Sequence, residues 1–263
     1  MSADFLLLAS MGALAGTLAG LLGIGGGIII VPVLALVFEH QGVSSSVLMH
    51  VAIGTSLATI VITSLSSIRA HQKHKAIDWK IFTTISPGIL VGSLLGAFVA
   101  RITPGETLRI LFIIFMFIVA AQMAFGMATK PHRHLPGTVG MLITGLVIGI
   151  VAALMGIGGG SMSVPFLTWC NMQVRKAVAT SASIGLPIAV AGSLGYIYNG
   201  MNVPERPAWS LGYLNMPAFL GIVIASTLFA PVGARLAHKI PERLLKRVFA
   251  VFLVIVGIRM LLK

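Results

Sequence analysis

Charge is what this sequence has least of. Asp, Glu, Lys and Arg make up 9% of its 263 residues, whereas a soluble globular chain carries roughly 25%. So few charges cannot cover a water-facing surface, which excludes a soluble enzyme, a disordered chain and a nucleic-acid-binding domain. Acids are scarcest: six against 18 Lys and Arg, and the net charge of +12 follows from that shortage. The single cysteine, Cys170, excludes an internal disulfide and any cysteine-only metal cage. Its simplest role is that of a small buried hydrophobe.

What is abundant is apolar. Hydrophobic residues make up 57% of the chain and mean hydropathy is +1.02. Apolar segments fall near 5–22, 28–38, 47–68, 79–100, 107–127, 137–155, 161–170, 174–198, 211–234 and 243–262. Most reach the roughly 20 residues of a spanning helix, so the expected fold class is an all-α integral membrane protein. Segments 28–38 and 161–170 are too short, and each follows a glycine cluster. Residues 5–22 could be mistaken for a signal peptide, with Ala13-Leu14-Ala15 resembling a cleavage site. No Lys or Arg precedes them, and a related stretch recurs in mid-chain, so the expectation is retained structure.

The chain repeats itself. Residues Gly20 to Leu34, with Gly23-Ile24-Gly25-Gly26-Gly27 followed by Val31-Pro32, match Ala153 to Leu167, with Gly156-Ile157-Gly158-Gly159-Gly160 followed by Val164-Pro165. Further on, Ala52 to Leu57 matches Ala177 to Ala182. Gly96-Ala97, Pro104, Phe112 and Phe115 then match Gly233-Ala234, Pro241, Phe249 and Phe252. Three blocks in one order indicate an N-terminal repeat, 1–130, and a C-terminal repeat, 131–263, which together form one transmembrane domain. Each repeat has four to five apolar segments with a glycine-broken or re-entrant first helix pair; whether 28–38 and 161–170 cross the membrane stays open.

Basic residues give the orientation. If each glycine-broken pair crosses an even number of times, one side collects thirteen Lys and Arg, including Arg69, Lys73, Lys80, Arg175 and Lys176. The other keeps five: Arg101, Arg109, Arg206, Arg259 and Lys263. That asymmetry is the one the positive-inside rule favours. Each repeat then makes an odd number of crossings, so the repeats are inverted, as in alternating-access transporters, with both termini outside.

The glycine clusters are the first candidate site. A helix that restarts after glycines presents unpaired N–H groups and the positive end of its dipole, a ready anion site. Irregular backbone at membrane depth is tolerated only when buried in protein or lining a wet cavity. The competing explanation is close helix packing. Expected substrate-binding residues are Gly25, Gly26, Gly27, Gly158, Gly159, Gly160 and Ser161, with Pro32 and Pro165 as helix-breaking positions. Hydroxyls add to them: Thr55 and Ser56, on the helix that also carries Thr59 and Thr63, and the matching Thr180 and Ser181, followed by Ser183 and a kink at Pro187. Hydroxyls bind an oxyanion without bringing a charge into the membrane, unless they back-bond within their own helix.

No Asp, Glu, Lys or Arg lies in the middle third of any segment, so carboxylate-based cation pumping has no machinery. His50, near Glu39 and His40, is the one candidate for carrying a coupling proton, against the plainer reading of an interfacial histidine. No catalytic residue, metal site or cofactor is expected. The partners implied are a small anionic substrate and the lipid bilayer, with no nucleic acid; self-association into a homo-oligomer stays open.

The paired Gly-Ile-Gly-Gly-Gly…Val-Pro elements and the Ala-x-x-Thr-Ser segments resemble the TauE/SafE sulfite exporter family, also called the toluene-sulfonate uptake permease family. The resemblance runs over essentially the whole chain. It implies secondary transport of sulfur-containing anions such as sulfite, sulfonates or sulfoacetate across the bacterial inner membrane. The motif positions carried over are Gly25, Gly26, Gly27 and Pro32, with Gly158, Gly159, Gly160 and Pro165. Ser161 and Ser163 stand where the first repeat has Ile28 and Ile30, so the second repeat offers more hydrogen bonds. Rival readings are an anion or small-solute channel built on two half-helices, a non-transporting scaffold, and an intramembrane serine protease. The last lacks a histidine at depth.

The charge partition generates a topology test. In a chain with Cys170 replaced, Arg206→Cys is expected to label with a membrane-impermeant maleimide from outside, and Lys73→Cys only after permeabilisation. Labelling of both from one side would end the inverted arrangement.

Overall fold

The computed structural model describes residues 12–13, 17, 26–125, 134–237 and 242–262. Its helices are α1 (Gly27–His40), α2 (Ser45–Lys73), α3 (Trp79–Ile102), α4 (Gly105–Phe125), α5 (Thr138–Met155), α6 (Gly160–Trp169), α7 (Val174–Gly200), α8 (Met216–Ala237) and α9 (Glu242–Leu261). Gly12, Ala13 and Thr17 are also helical; the rest of segment 5–22 lies outside the described residues. Five helices, α2, α3, α4, α5 and α7, are long and apolar enough to cross a membrane. The chain is therefore a multi-pass helical membrane protein.

Two helices are short. At 1.5 Å per residue, α1 with 14 residues and α6 with 10 reach about 21 and 15 Å of a hydrocarbon core roughly 30 Å thick. Their starts are set by glycine. Gly26 caps α1 at φ 72°, and Gly156 ends α5 at φ 66°, a region that a side-chain-bearing residue enters only with strain. The breaks expected at Pro32 and Pro165 are not found there. Both prolines sit inside their helices, each five residues after the helix begins, and the interruption lies at the glycines instead.

Segment 211–234 also differs from expectation. Ser210–Leu211 pairs antiparallel with Leu214–Asn215 around Gly212, at φ 58°, and α8 begins only at Met216. Asn215 sets that start, since its Oδ1 accepts from the Ala218 N–H at 3.0 Å. This two-residue ladder is the one departure from an all-α fold among the described residues.

Helices α2 and α7 form the centre, with 72% and 67% of their most apolar stretch buried, against 44%, 33% and 39% for α3, α4 and α5. The outer helices turn apolar side chains outward, for example Ile110, Ile114 and Ile118 along one face of α4. Such a stripe suits lipid and not water. Helices α3 and α5 pack with almost no space between them. A Cβ at Gly88 or Gly92 would overlap the carbonyl oxygens of Leu142 and Leu146, and one at Gly145 that of Ile85. This is the small-residue packing of membrane helices, and it fixes α5 and hence the glycine break at its end.

That packing predicts a sharp contrast. Gly92→Val drives a branched side chain into backbone that cannot move away, and should cost about 3 kcal/mol or more, read as a lower unfolding temperature. Val91→Leu, on the lipid-facing side, should change it little. Equal unfolding temperatures would show that the two helices are not in close contact.

Candidate functional site

The two glycine clusters meet in the protein interior. A Cβ on Gly27 would lie 2.6 Å from the Gly156 carbonyl oxygen and 2.8 Å from Ile157 Cα. Gly27 therefore works here as a close-approach residue, the packing role anticipated as its alternative. Of the first cluster, Gly25 lies outside the described residues. Ser56 reaches across from α2 to donate to the Gly156 carbonyl at 2.8 Å, closing the exposed end of α5.

Beyond Gly156 the chain runs as Ile157-Gly158-Gly159 before α6 begins. The Ile157 N–H bonds back to Ala152. The next four N–H groups, of Gly158, Gly159, Gly160 and Ser161, have no acceptor among the described residues; pairing resumes at Met162 and Ser163, which both reach the Gly159 carbonyl. Gly158 and Gly159 are buried, and a buried donor without a partner costs about 1–3 kcal/mol. Beside them the Ser161 hydroxyl is sealed from solvent and also unpartnered. Ser163 is occupied: its Oγ pairs with Ser181 Oγ at 2.6 Å and donates to the Gly159 carbonyl. Ile30 and Ile28 stand at the equivalent positions of the first cluster, so the asymmetry noted in the sequence appears as real hydrogen bonds.

Around this break stand Ile60 of α2 and Ile184 and Ile188 of α7. A Cβ on Gly158 would find Ile60 Cγ2 at 3.6 Å, an ordinary contact, whereas one on Gly159 would crowd Ile184 Cγ2 at 2.9 Å and Ile188 Cδ1 at 3.0 Å. The side chains around the break are thus apolar, and the donors beside it come from backbone and hydroxyls. Groups of three or more His, Cys, Asp or Glu able to hold a metal are absent among the described residues.

Thr55 and Thr180 have a different task. Both are fully buried. Thr55 Oγ1 accepts the Asn215 N–H at 3.0 Å, and Thr180 Oγ1 accepts the Asp78 N–H at 3.0 Å. Asp78 caps α3 through Ile81 N–H as Asn215 caps α8 through Ala218 N–H. Each threonine therefore secures the first turn of a distant helix. Thr59 and Thr63 bond back to the carbonyls of Ser56 and Ile60, and Ser183 to that of Ala179, so these hydroxyls serve their own helices.

His50, near the start of α2, is buried in the protein. Its Nε2 lies 2.9 Å from the Ala100 carbonyl oxygen, its ring stacks on Tyr213 with centroids 5.0 Å apart, and its Nδ1 has no partner among the described residues. At this end Ser46 donates to Glu205, and the Ser46 and Ser44 hydroxyls hold that carboxyl below its usual range. Arg109 Nε reaches the Met260 carbonyl at 2.8 Å. A cavity of about 190 Å³ opens beside it, between Glu39, Glu106, Arg109 and Arg259, away from the glycines. Its charges balance and come from three separated helices, α1, α4 and α9, which is why no local motif announced it.

A largely helical membrane protein with an interrupted helix, and with amides there that lack acceptors among the described residues, has the make-up of a membrane transporter. The chain belongs to the TauE/SafE sulfite exporter family, whose sequence model matches residues 8–260. A probable membrane transporter protein of Haemophilus influenzae is 38% identical over 264 residues, spanning 98% of this chain and 98% of its own length. One from Methanocaldococcus jannaschii is 31% identical over 97% of this chain and 95% of its own, and YunE of Bacillus subtilis, of the same description, 28% over 98% and 97%. No solved structure matches.

The threonine geometry generates a stability prediction. Thr55→Val or Thr180→Val strands a buried amide and should cost about 1–3 kcal/mol, while the serine variants, which keep the acceptor, recover most of it. Unfolding temperatures in detergent decide the point. Unchanged stability with lost anion binding would return these hydroxyls to the ligand.

Proposed function

We propose that this protein is a secondary transporter of small sulfur-containing anions such as sulfite, sulfonates or sulfoacetate, exporting them across the bacterial inner membrane by alternating access. One observation carries the reading: four successive amides, Gly158 to Ser161, without an acceptor among the described residues, at the head of a helix, the first two of them at buried positions. Oriented N–H groups and the positive end of the α6 dipole attract an anion, and the Ser161 hydroxyl adds a donor. With no fixed cation in the site, the anion is held by dipoles alone and is free to leave after each cycle.

The exchanged threonine bonds support the inverted-repeat account. Residue 55 of the first repeat grips the start of the second repeat's α8, and residue 180 of the second grips the start of the first repeat's α3. That reciprocity is what a pseudo-two-fold axis lying between 1–130 and 131–263 would generate, and rocking of one repeat against the other would expose the break to each side in turn.

In proteoliposomes the wild type should accumulate sulfite by counterflow, and sulfite should raise its unfolding temperature in detergent. Gly158→Val adds a side chain beside these amides at a position where a Cβ meets only an ordinary contact, so it should abolish both effects while the protein still purifies as a single species. Ser161→Ala should weaken binding about three- to tenfold, the value of an ordinary hydrogen bond. Normal sulfite binding by Gly158→Val would place the site elsewhere.

A further inference from the structure

The hydroxyls along α2 differ in one respect that their spacing alone does not reveal. Ser56, Ile60 and Ser64 recur every four residues and so share one face, which runs along the glycine break: Ser56 bonds Gly156, and Ile60 lies against both Gly27 and Gly158. Ser64 continues this line. It is 6% exposed, yet it has no side-chain hydrogen bond among the described residues, unlike Thr59 and Thr63, which bond back into the helix. Its oxygen faces Gly185 of α7. A Cβ built on Gly185 would stand 3.1 Å from Ser64 Oγ, 3.8 Å from the Gly159 nitrogen and 4.0 Å from Gly158 Cα. The space that Gly185 leaves empty is therefore bordered by the hydroxyl of a largely buried serine, without a hydrogen bond among the described residues, and by one of the four amides that have no acceptor among them.

We propose that Ser64 contacts the bound anion from α2, opposite the Gly158–Ser161 amides, and that Gly185 sets how large an anion the space admits. The inference rests on reading those amides as the anion site and adds a ligand from the other half of the chain. A hydroxyl donor suits an oxyanion and needs no charge at this depth. The anion then bridges α2, which belongs to residues 1–130, and the α6 break, which belongs to 131–263. A ligand touching both halves binds best where they are closed around it, and only such differential binding can bias a conformational equilibrium.

The test uses the full chain in detergent, with sulfite and sulfoacetate as probes followed by calorimetric titration. Ser64→Ala should weaken sulfite binding about three- to tenfold without lowering the unfolding temperature of the ligand-free protein. Gly185→Ala places a methyl group in the shared space and should reduce affinity for sulfoacetate more than for sulfite, a change of ratio that a merely structural role would not produce. If Gly158→Val loses binding while Ser64→Ala binds sulfite as the wild type does, the role of Ser64 is overturned and the amide site stands. If both variants bind normally, the amide site falls with it. An unchanged sulfoacetate-to-sulfite ratio in Gly185→Ala overturns the size-setting role.

Discussion

A helix interrupted inside a membrane protein leaves amides and carbonyls that lipid cannot satisfy, and the arrangement of this chain follows from how those groups are met. The carbonyl side of the second break is met by protein: Ser56 bonds Gly156, and Ile157 bonds back to Ala152. The amide side has no acceptor among the described residues: Gly158 to Ser161 leave four donors next to Ile60 of α2 and Ile184 and Ile188 of α7. The two most buried long helices converge here, and Gly27 lets the first break approach the second to within backbone contact.

The proposed anion site suits transport better than tight retention. A buried Lys or Arg would hold an oxyanion strongly but would cost heavily whenever the site stood empty in a nonpolar interior. Backbone dipoles and hydroxyls carry only partial charges, so the empty state is tolerable and release is easy. The unequal clusters sharpen the point. Ser161 and Ser163 add polar groups where Ile28 and Ile30 sit in the first repeat, and Ser163 is tied to Ser181. The proposed ligand thus leans on one break, while the other supplies packing.

Much of this was legible in the sequence, and the reasons are physical. Helix number and apolar character follow from composition and segment length, and the glycine clusters mark the breaks because no other residue occupies φ near 70° without strain. The prolines misled, since a proline deep in a membrane helix can be accommodated by its neighbours, and only backbone geometry shows that α1 and α6 pass through Pro32 and Pro165. Thr55 and Thr180 stood out as a matched pair expected at the substrate, but their partners in the structure, Asn215 and Asp78, are 160 and 102 residues away. No periodicity can announce contacts that distant. Ser64 was one hydroxyl among several at the end of α2, distinguished only by how α2 crosses α7. The Gly88, Gly92 and Gly96 series was not singled out either, and only the structure shows that it marks the α3–α5 contact.

The most direct test of the central claim reads the amides themselves. With isotope-labelled glycine in the detergent-solubilised full chain, the amide resonances of Gly158, Gly159 and Gly160 can be assigned by substitution and followed during titration with sulfite. Hydrogen bonding to an oxyanion should shift all three saturably and downfield, with one affinity matching that of thermal stabilisation. Saturable sulfite binding that leaves these three resonances in place would contradict the account.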